Sequence, residues 1–202
     1  MKTVILTGGM GSGKSAVGAF LKARGVPVYD SDSRTKSLYD RDPALVDALE
    51  GVLGTGLRAS DGRLDRAKLA SLIFGDPARK AAVEAVVHPA VLADFYRWKR
   101  WHRPKGWTYG PVPFVVLESA IILSCPVFDG VGDRTVLVDA SEEVRLARAV
   151  ARDGSGPEAV LRRIRQQRFD LSRVDAVIPN DGSLEDLAAA ADCVFLNLFV
   201  SL

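Results

Sequence analysis

A glycine-rich stretch near the start of the chain combines the residue types that hold phosphate. Residues 8–15 read Gly-Gly-Met-Gly-Ser-Gly-Lys-Ser, which fits the pattern G-x-x-x-x-G-K-S/T. Glycines let the backbone curl so that N–H groups point inward, and the start of a following helix favours an anion. Lys14 can reach the β- and γ-phosphates, and the Ser15 hydroxyl can bind Mg²⁺. The stretch predicts a nucleoside triphosphate site, and the alternative is a plain glycine-rich turn.

Two aspartates follow a second apolar run, 26–29. In a parallel α/β sheet, ligands bind beyond the carboxyl ends of the strands, so these aspartates are expected near the glycine-rich loop. A carboxylate there can accept a proton from an attacking hydroxyl, or help to hold Mg²⁺ through water. We favour that role for Asp32, whereas Asp30 or Ser31 can instead cap the next helix.

Another acid, Glu118, follows the apolar run 114–117. A carboxylate at the end of a buried strand is costly unless it is solvated or paired. Glu118 is therefore a second candidate for contact with a metal, water or a phosphoryl acceptor. A glutamate exposed just past the strand is the alternative that the sequence leaves open.

An arginine-rich hairpin is predicted late in the chain. Arg145, Arg148 and Arg152 are spaced to share one helix face. A turn is predicted at 153–157, and residues 145–168 together contain seven arginines and only two acidic residues. We expect 142–168 to form a lid that closes over polyphosphate, where arginine can stabilise developing charge. The alternative is that these arginines form a solvent-exposed basic helix face, as clustered charged residues usually do.

An aromatic and basic stretch, 95–107, contains all three tryptophans. Interleaved aromatic and cationic residues can bind single-stranded nucleic acid. The helical spacing of Leu92, Phe95, Trp98 and Trp101 favours core packing instead. We therefore expect no nucleic-acid partner.

Short apolar runs alternate with helical segments along the chain, which predicts a doubly wound α/β fold. Strands are predicted at 4–6, 26–29, 112–117, 135–138 and 176–178. Helices are predicted at 14–24, at several places within 34–103, and at 142–152, 157–168 and 184–192. The long strand-free stretch at about 34–108 is expected to be an insertion that covers the acceptor side of the phosphate site. The core then comprises about 1–33, 109–141 and 169–202, within a single domain.

Composition limits the class of protein. With 202 residues, 48% hydrophobic residues and a net charge of +2, the chain can bury a core and does not require a nucleic-acid partner. Cys125 and Cys193 fit no metal spacing and are expected as core thiols in a reducing compartment. No apolar run reaches membrane-spanning length, and the first strand begins at once. We expect a cytoplasmic protein with no membrane association and no obligate protein partner.

The ordered motifs resemble those of the dephospho-CoA kinase family over nearly the whole chain. The matching segments are 6–15, 28–32, 61–66, 74–77, 88–89, 145–148, 152–153, 163–167, 175–178 and 180–182. The phosphate loop alone is common to many families, whereas the ordered set is specific. The resemblance implies a P-loop kinase fold: a five-stranded parallel sheet flanked by helices, with a helical acceptor-binding insertion and an arginine-rich lid.

The resemblance also implies an activity and a set of site residues. The activity is transfer of the ATP γ-phosphoryl group to the ribose 3′-hydroxyl of dephospho-CoA, with Mg²⁺, as the last step of coenzyme A biosynthesis. The implied catalytic residues are Asp32, Lys14 and Arg148. The implied nucleotide contacts are Gly11, Ser12, Gly13, Lys14, Ser15, Ala16, Arg148, Arg152 and Asn180. The implied acceptor contacts are Asp32, Arg66, His88 and Glu118. Ser15 is the implied Mg²⁺ ligand, with Asp32 or Glu118 acting through water.

The chain departs from the family pattern at two places. Many members have Asp-x-Pro-Leu-Leu-Phe-Glu after the third strand, where this chain has Glu118 first and Ser124 last. Ala16 stands where a threonine often follows the loop serine. Two main rival interpretations remain: another small-molecule kinase, similar to shikimate kinase, and a nucleotide-binding regulator without acceptor chemistry. A nucleic-acid-binding protein that uses the stretch 95–107 is a third, weaker alternative. The chain has neither the Gly-Gly-Gly acceptor loop of the first nor the Asn-Lys-x-Asp motif of a GTPase switch.

Overall fold

A single sheet forms the centre of the fold. The computed structural model describes residues 1–102, 109, 112–154 and 156–200. Within them the strands are β1 (Lys2–Gly8), β2 (Val28–Asp30), β3 (Phe114–Glu118), β4 (Arg134–Asp139) and β5 (Ala176–Pro179), in the order β2-β3-β1-β4-β5. The central strand β1 runs parallel to both of its neighbours, β3 and β4. The predicted five-stranded α/β sheet is confirmed.

Helices connect these strands, as the alternating pattern predicts. They are α1 (Lys14–Ala23), α2 (Ser31–Arg41), α3 (Pro43–Leu53), α4 (Arg66–Ile73), α5 (Pro77–Trp101), α6 (Glu142–Asp153), α7 (Pro157–Gln166) and α8 (Leu184–Asn197). Short 3₁₀ turns occur at Ile122–Ser124, Pro126–Phe128 and Leu171–Arg173. In the part of the chain that the structure describes, no helix combines the length and apolar character that crossing a membrane requires.

The chain divides into two compact units. The sheet unit comprises Met1–Tyr29 and Lys99–Leu202, and the helical unit comprises Asp30–Trp98. The helical stretch begins three residues earlier than predicted, because the Asp30 side chain accepts hydrogen bonds from the N–H groups of Asp32 and Ser33. Of the two predicted candidates, Asp30 and Ser31, Asp30 is the cap, and it satisfies N–H groups that have no partner within the helix.

The core of the sheet unit lies between the strands and two helices. Val17 and Leu21 of α1 are fully buried against it, together with Leu187 and Phe195 of α8. The apolar end of the chain also packs on this core: Phe199 is buried, with its ring centroid 5.7 Å from that of Phe114 in β3. The helix α8 continues to Asn197, five residues past the predicted end, because its apolar face persists.

Two packing predictions are wrong in part. Phe95 is buried and stacks on Trp98, but Trp101, the last residue of α5, is 84% exposed, so the apolar stripe ends a turn earlier than its spacing indicates. Trp107 lies outside the described residues. Cys125 is buried as predicted, whereas Cys193 is exposed, because the buried face of α8 passes through Ala191 and Phe195 on either side of it.

Candidate active site

The glycine-rich loop joins β1 directly to α1 and leaves backbone donors available. Gly11 and Gly13 have φ angles of +77° and +94°, a region that other residues rarely adopt. Gly13 precedes α1 without any side-chain cap. Among the described residues, no group accepts a hydrogen bond from the backbone N–H of Gly11, Gly13, Lys14 or Ser15. These donors and the positive end of α1 form a cradle suited to phosphate.

The loop also needs glycine because other parts of the chain press against it. A Cβ atom at Gly11 would lie 2.3 Å from the backbone oxygen of Arg145, and one at Gly13 would lie 2.0 Å from Nδ2 of Asn180. Both distances are far shorter than a van der Waals contact. The phosphate cradle is therefore packed between α6 and the end of β5, which fixes its backbone.

The tip of the loop is held by two residues of the arginine-rich segment. Oε1 of Gln167 accepts hydrogen bonds from the Met10 N–H at 2.7 Å and from Nη2 of Arg145 at 2.9 Å. Nε of Arg145 donates to the Met10 carbonyl at 3.0 Å. The Arg145 guanidinium, grouped by sequence with the phosphate-facing arginines, contacts the loop backbone instead. Sequence reasoning noted Gln167 as part of a motif but missed this contact.

Asn180 holds the loop from the other side. It is 4% exposed, and its Nδ2 donates to the Ser12 carbonyl at 2.7 Å. Nη1 of Arg148 donates to the backbone carbonyl of Asn180 at 2.8 Å, so α6 is tied to the same point. The structure thus brings Arg148 and Asn180 together with the loop, as their predicted roles require. Arg152, one turn beyond Arg148 on α6, is exposed.

Two loop residues face inward. Ser12 is fully buried; its N–H donates to the Gly9 carbonyl, and its hydroxyl has no hydrogen-bond partner among the described residues. The N–H of Ala16 donates to the Gly13 carbonyl. Both residues shape the loop, and neither N–H is free for a ligand in this structure.

Glu118 lies at the centre of the charged groups beside the loop. It ends β3 and is 3% exposed, so the alternative of a surface glutamate is wrong. Its Oε1 accepts hydrogen bonds from Nζ of Lys14 at 2.7 Å and from Oγ of Ser15 at 2.8 Å. A buried carboxylate needs such partners, because an unpaired charge in the interior is costly. At the family's closing glutamate position, Ser124 is exposed and its hydroxyl donates to the Ile121 carbonyl.

The remaining predicted site residues belong to the helical unit. Asp32 is exposed in the first turn of α2, and no described group donates a hydrogen bond to its carboxylate. Arg66 begins α4 and pairs with the Asp40 carboxylate at 2.7 Å. His88 is half-buried in α5, and this burial lowers its pKa from the ordinary 6.5, against the opposing charge of Glu84. The imidazole is therefore neutral at neutral pH.

Comparison with known proteins identifies the relatives of the chain. A family model described as dephospho-CoA kinase matches residues 2–186. The dephospho-CoA kinase of Porphyromonas gingivalis is 39% identical over 176 residues, which span 87% of this chain and 82% of that protein.

Solved structures share the fold. The crystal structure of TT1252 from Thermus thermophilus has a TM-score of 0.77 and 34% identity, and the alignment covers 98% of this chain and 97% of that one. A shikimate kinase from Acinetobacter baumannii, in complex with shikimate, has a TM-score of 0.53 at 19% identity, covering 100% of this chain and 94% of that one, and shows a shared fold alone. The family model and the relative from Porphyromonas gingivalis decide the membership: the chain belongs to the dephospho-CoA kinase family.

Proposed function

We propose that this protein transfers the γ-phosphoryl group of ATP to the ribose 3′-hydroxyl of dephospho-CoA, giving coenzyme A and ADP. The observation that carries the proposal is the phosphate cradle. It has four backbone N–H groups without an acceptor in the described chain, and it lies beside a lysine and a serine that share one buried carboxylate. Family membership supports dephospho-CoA as the acceptor.

The loop residues fit a magnesium–nucleotide complex. In our proposal the free N–H groups and Lys14 bind the β- and γ-phosphates. Ser15 donates its hydroxyl hydrogen to Glu118, which leaves the oxygen lone pairs available to Mg²⁺. Because the Glu118 carboxylate lies 2.8 Å from the Ser15 hydroxyl, we propose that it helps to hold Mg²⁺ through a bound water. When bound, Mg²⁺ would neutralise part of the charge on the phosphates.

Asp32 is the proposed proton acceptor. As the 3′-oxygen forms its bond to the γ-phosphorus, the bond to the β–γ bridging oxygen breaks and ADP leaves. The hydroxyl proton passes to the Asp32 carboxylate, which accepts no hydrogen bond from any described residue. Arg148 and Arg152 on α6 supply positive charge for the transferring phosphoryl group.

The helical unit is the proposed acceptor-binding part of the chain. Arg66 is exposed and its partner Asp40 is on the surface, so this ion pair can open and the guanidinium can bind a phosphate oxygen. The neutral imidazole of His88 offers one donor and one acceptor. We further propose that residues 142–168 act as a lid, and that the enzyme works in the cytoplasm without nucleic acid, a membrane or an obligate protein partner.

A coupled assay tests this assignment. Purified protein with Mg-ATP is given dephospho-CoA, shikimate or adenosine in parallel, and ADP release is followed. We expect ADP release to depend on dephospho-CoA, with at most background rates for the other two acceptors. Turnover of shikimate, or ATP binding with no turnover of any acceptor, would contradict the proposal. Omitting Mg²⁺ is the control for the metal, and we expect it to abolish turnover.

A further inference from the structure

A glycine inside α1 lies against the carboxylate that organises the phosphate cradle. Gly18 is buried, within the helix that starts at Lys14. A Cβ atom built on Gly18 would lie 2.6 Å from Oε2 of Glu118 and 3.5 Å from its Cδ. The distance of 2.6 Å to Oε2 is shorter than any normal non-bonded contact of a Cβ atom. A side chain of any size at position 18 therefore conflicts with the Glu118 carboxylate as placed.

The backbone of α1 does not itself require this glycine. Gly18 is not among the described glycines with positive φ, so alanine could adopt its conformation. Glycine within a helix is also less favourable than alanine, because the unfolded chain loses more freedom on folding. The reason for glycine here lies in the space beside it, which the second carboxylate oxygen of Glu118 occupies.

The two oxygens of Glu118 then have separate surroundings. Oε2 lies against Gly18, and Oε1 alone accepts the hydrogen bonds from Lys14 and Ser15. Glu118 has few other positions available, because it is 3% exposed and ends a strand buried along its whole length. Displacing Oε2 would rotate the carboxylate and move Oε1 away from at least one of its two partners.

We propose that Gly18 is a positioning residue that fixes the Glu118 carboxylate, and through it the groups of Lys14 and Ser15 that bind nucleotide and metal. The inference rests on the proposed nucleotide site and is independent of the acceptor. A side chain one methylene shorter than glutamate would withdraw from position 18. The pairing of glycine at 18 with glutamate at 118 is therefore specific, and aspartate at 118 should tolerate alanine at 18.

Four variants test the pairing: Gly18→Ala, Glu118→Asp, the double variant, and Gly51→Ala as the matched control. Gly51 is also a helical glycine, in α3, and a Cβ atom there would have no neighbour within 4 Å among the described residues. Each variant is examined for Mg-ADP binding by calorimetry and for thermal unfolding of the free chain. Neither measurement involves dephospho-CoA, so both remain decisive even if that acceptor is not phosphorylated.

We expect Gly18→Ala to weaken Mg-ADP binding by about fivefold or more and to lower the melting temperature. Gly51→Ala should leave Mg-ADP binding unchanged and not lower the melting temperature. The double variant should bind Mg-ADP within about twofold of Glu118→Asp alone, because the shorter acid removes the conflict. Failure of Gly18→Ala to fold, with a folded double variant, would support the pairing in the same way.

Three results would overturn the inference. The first is Mg-ADP binding by Gly18→Ala that matches the Gly51→Ala control. The second is a double variant in which the two losses multiply, which would mean that residues 18 and 118 act independently. The third is a double variant that fails to fold together with Gly18→Ala, since the damage at position 18 would then not arise from the glutamate carboxylate.

Discussion

Asp32 and Glu118 are both acids that follow strands, but their surroundings suit them to different tasks. Glu118 is buried, and one oxygen already accepts two hydrogen bonds from the cradle. Asp32 is exposed, and its carboxylate has no hydrogen-bond donor among the described residues. Proton transfer needs a carboxylate that is free to approach the acceptor hydroxyl. On this basis we propose Asp32 as the base and Glu118 as the support for Lys14 and Ser15.

Replacing the proposed base should affect turnover far more than nucleotide binding. We expect Asp32→Asn to lower kcat by roughly 10²-fold or more, because an amide cannot accept the hydroxyl proton. Mg-ADP affinity, measured by calorimetry, should change little. Steady-state kinetics with dephospho-CoA check the first point. A normal kcat in this variant would move the role of base to Glu118 or to the substrate phosphate itself.

The half-buried His88 predicts a pH effect on stability. Burial lowers the pKa of the His88 imidazole in the folded chain below 6.5. As the pH falls, the imidazole is therefore protonated in the unfolded chain before it is protonated in the folded chain. His88 therefore costs stability as the pH falls through about 6.5, and a side chain that does not titrate removes that cost. We therefore expect the melting temperature of His88→Gln minus that of the parent to increase as the pH is lowered from about 7.5 to about 5.5. A constant difference would show that the imidazole titrates as in the unfolded chain.

At the scale of elements, the phosphate cradle is held by contacts that are distant in sequence. Gln167 and Met10 are 157 positions apart, yet one hydrogen bond joins them, and Arg145 completes the contact. Spacing along the chain reveals which residues share a helix face, but not which loop that face will contact. The arginine-rich segment was therefore predicted as a helical hairpin, while the individual task of Arg145 was missed.

The Gln167 contact can be tested with a matched pair of variants. Gln167→Ala leaves the Met10 N–H and Nη2 of Arg145 without their shared acceptor. Both groups are half-buried, so the cost lies below the roughly 1–3 kcal/mol of a fully buried unsatisfied group. We expect the KM of Gln167→Ala for ATP to rise about tenfold as the loop loosens, and Gln167→Glu, which keeps an acceptor oxygen, to stay near the parent. The control is Gln166→Ala, since Gln166 is exposed. Equal kinetics for the alanine variants at 166 and 167 would remove the loop-holding role.

Sequence alone predicted the elements well because their signals are local. The apolar runs predict all five strands of the described sheet, and the glycine-rich loop lies between β1 and α1 as its pattern requires. Trp101 shows the limit of this approach: its spacing continues the apolar stripe, but no element in the described part of the chain covers it. The space that Gly18 leaves for Glu118 was missed for a similar reason, since a glycine gives no sign of what fills the room beside it.

At the scale of the whole molecule, the end of the chain closes the core of the sheet unit. Phe199 packs on Phe114 of β3, two residues beyond the end of α8. We expect Phe199→Ala to lower the free energy of unfolding by about 3–5 kcal/mol, the usual cost of removing a buried aromatic ring. Urea unfolding measures the change, and Val200→Ala, at a 59% exposed neighbour, is the control. A loss below that of the control would mean that the final residues do not stabilise the sheet.

The chemical identity of the product decides whether the protein phosphorylates the ribose 3′-hydroxyl of dephospho-CoA. Dephospho-CoA is incubated with Mg-ATP and the protein, and the product is separated by chromatography, weighed by mass spectrometry and digested with a 3′-nucleotidase. We expect a product one phosphoryl group heavier than dephospho-CoA that co-elutes with coenzyme A and returns to dephospho-CoA on digestion. A phosphoryl group at any other position, or an unchanged acceptor in the presence of bound ATP, would contradict the proposed function.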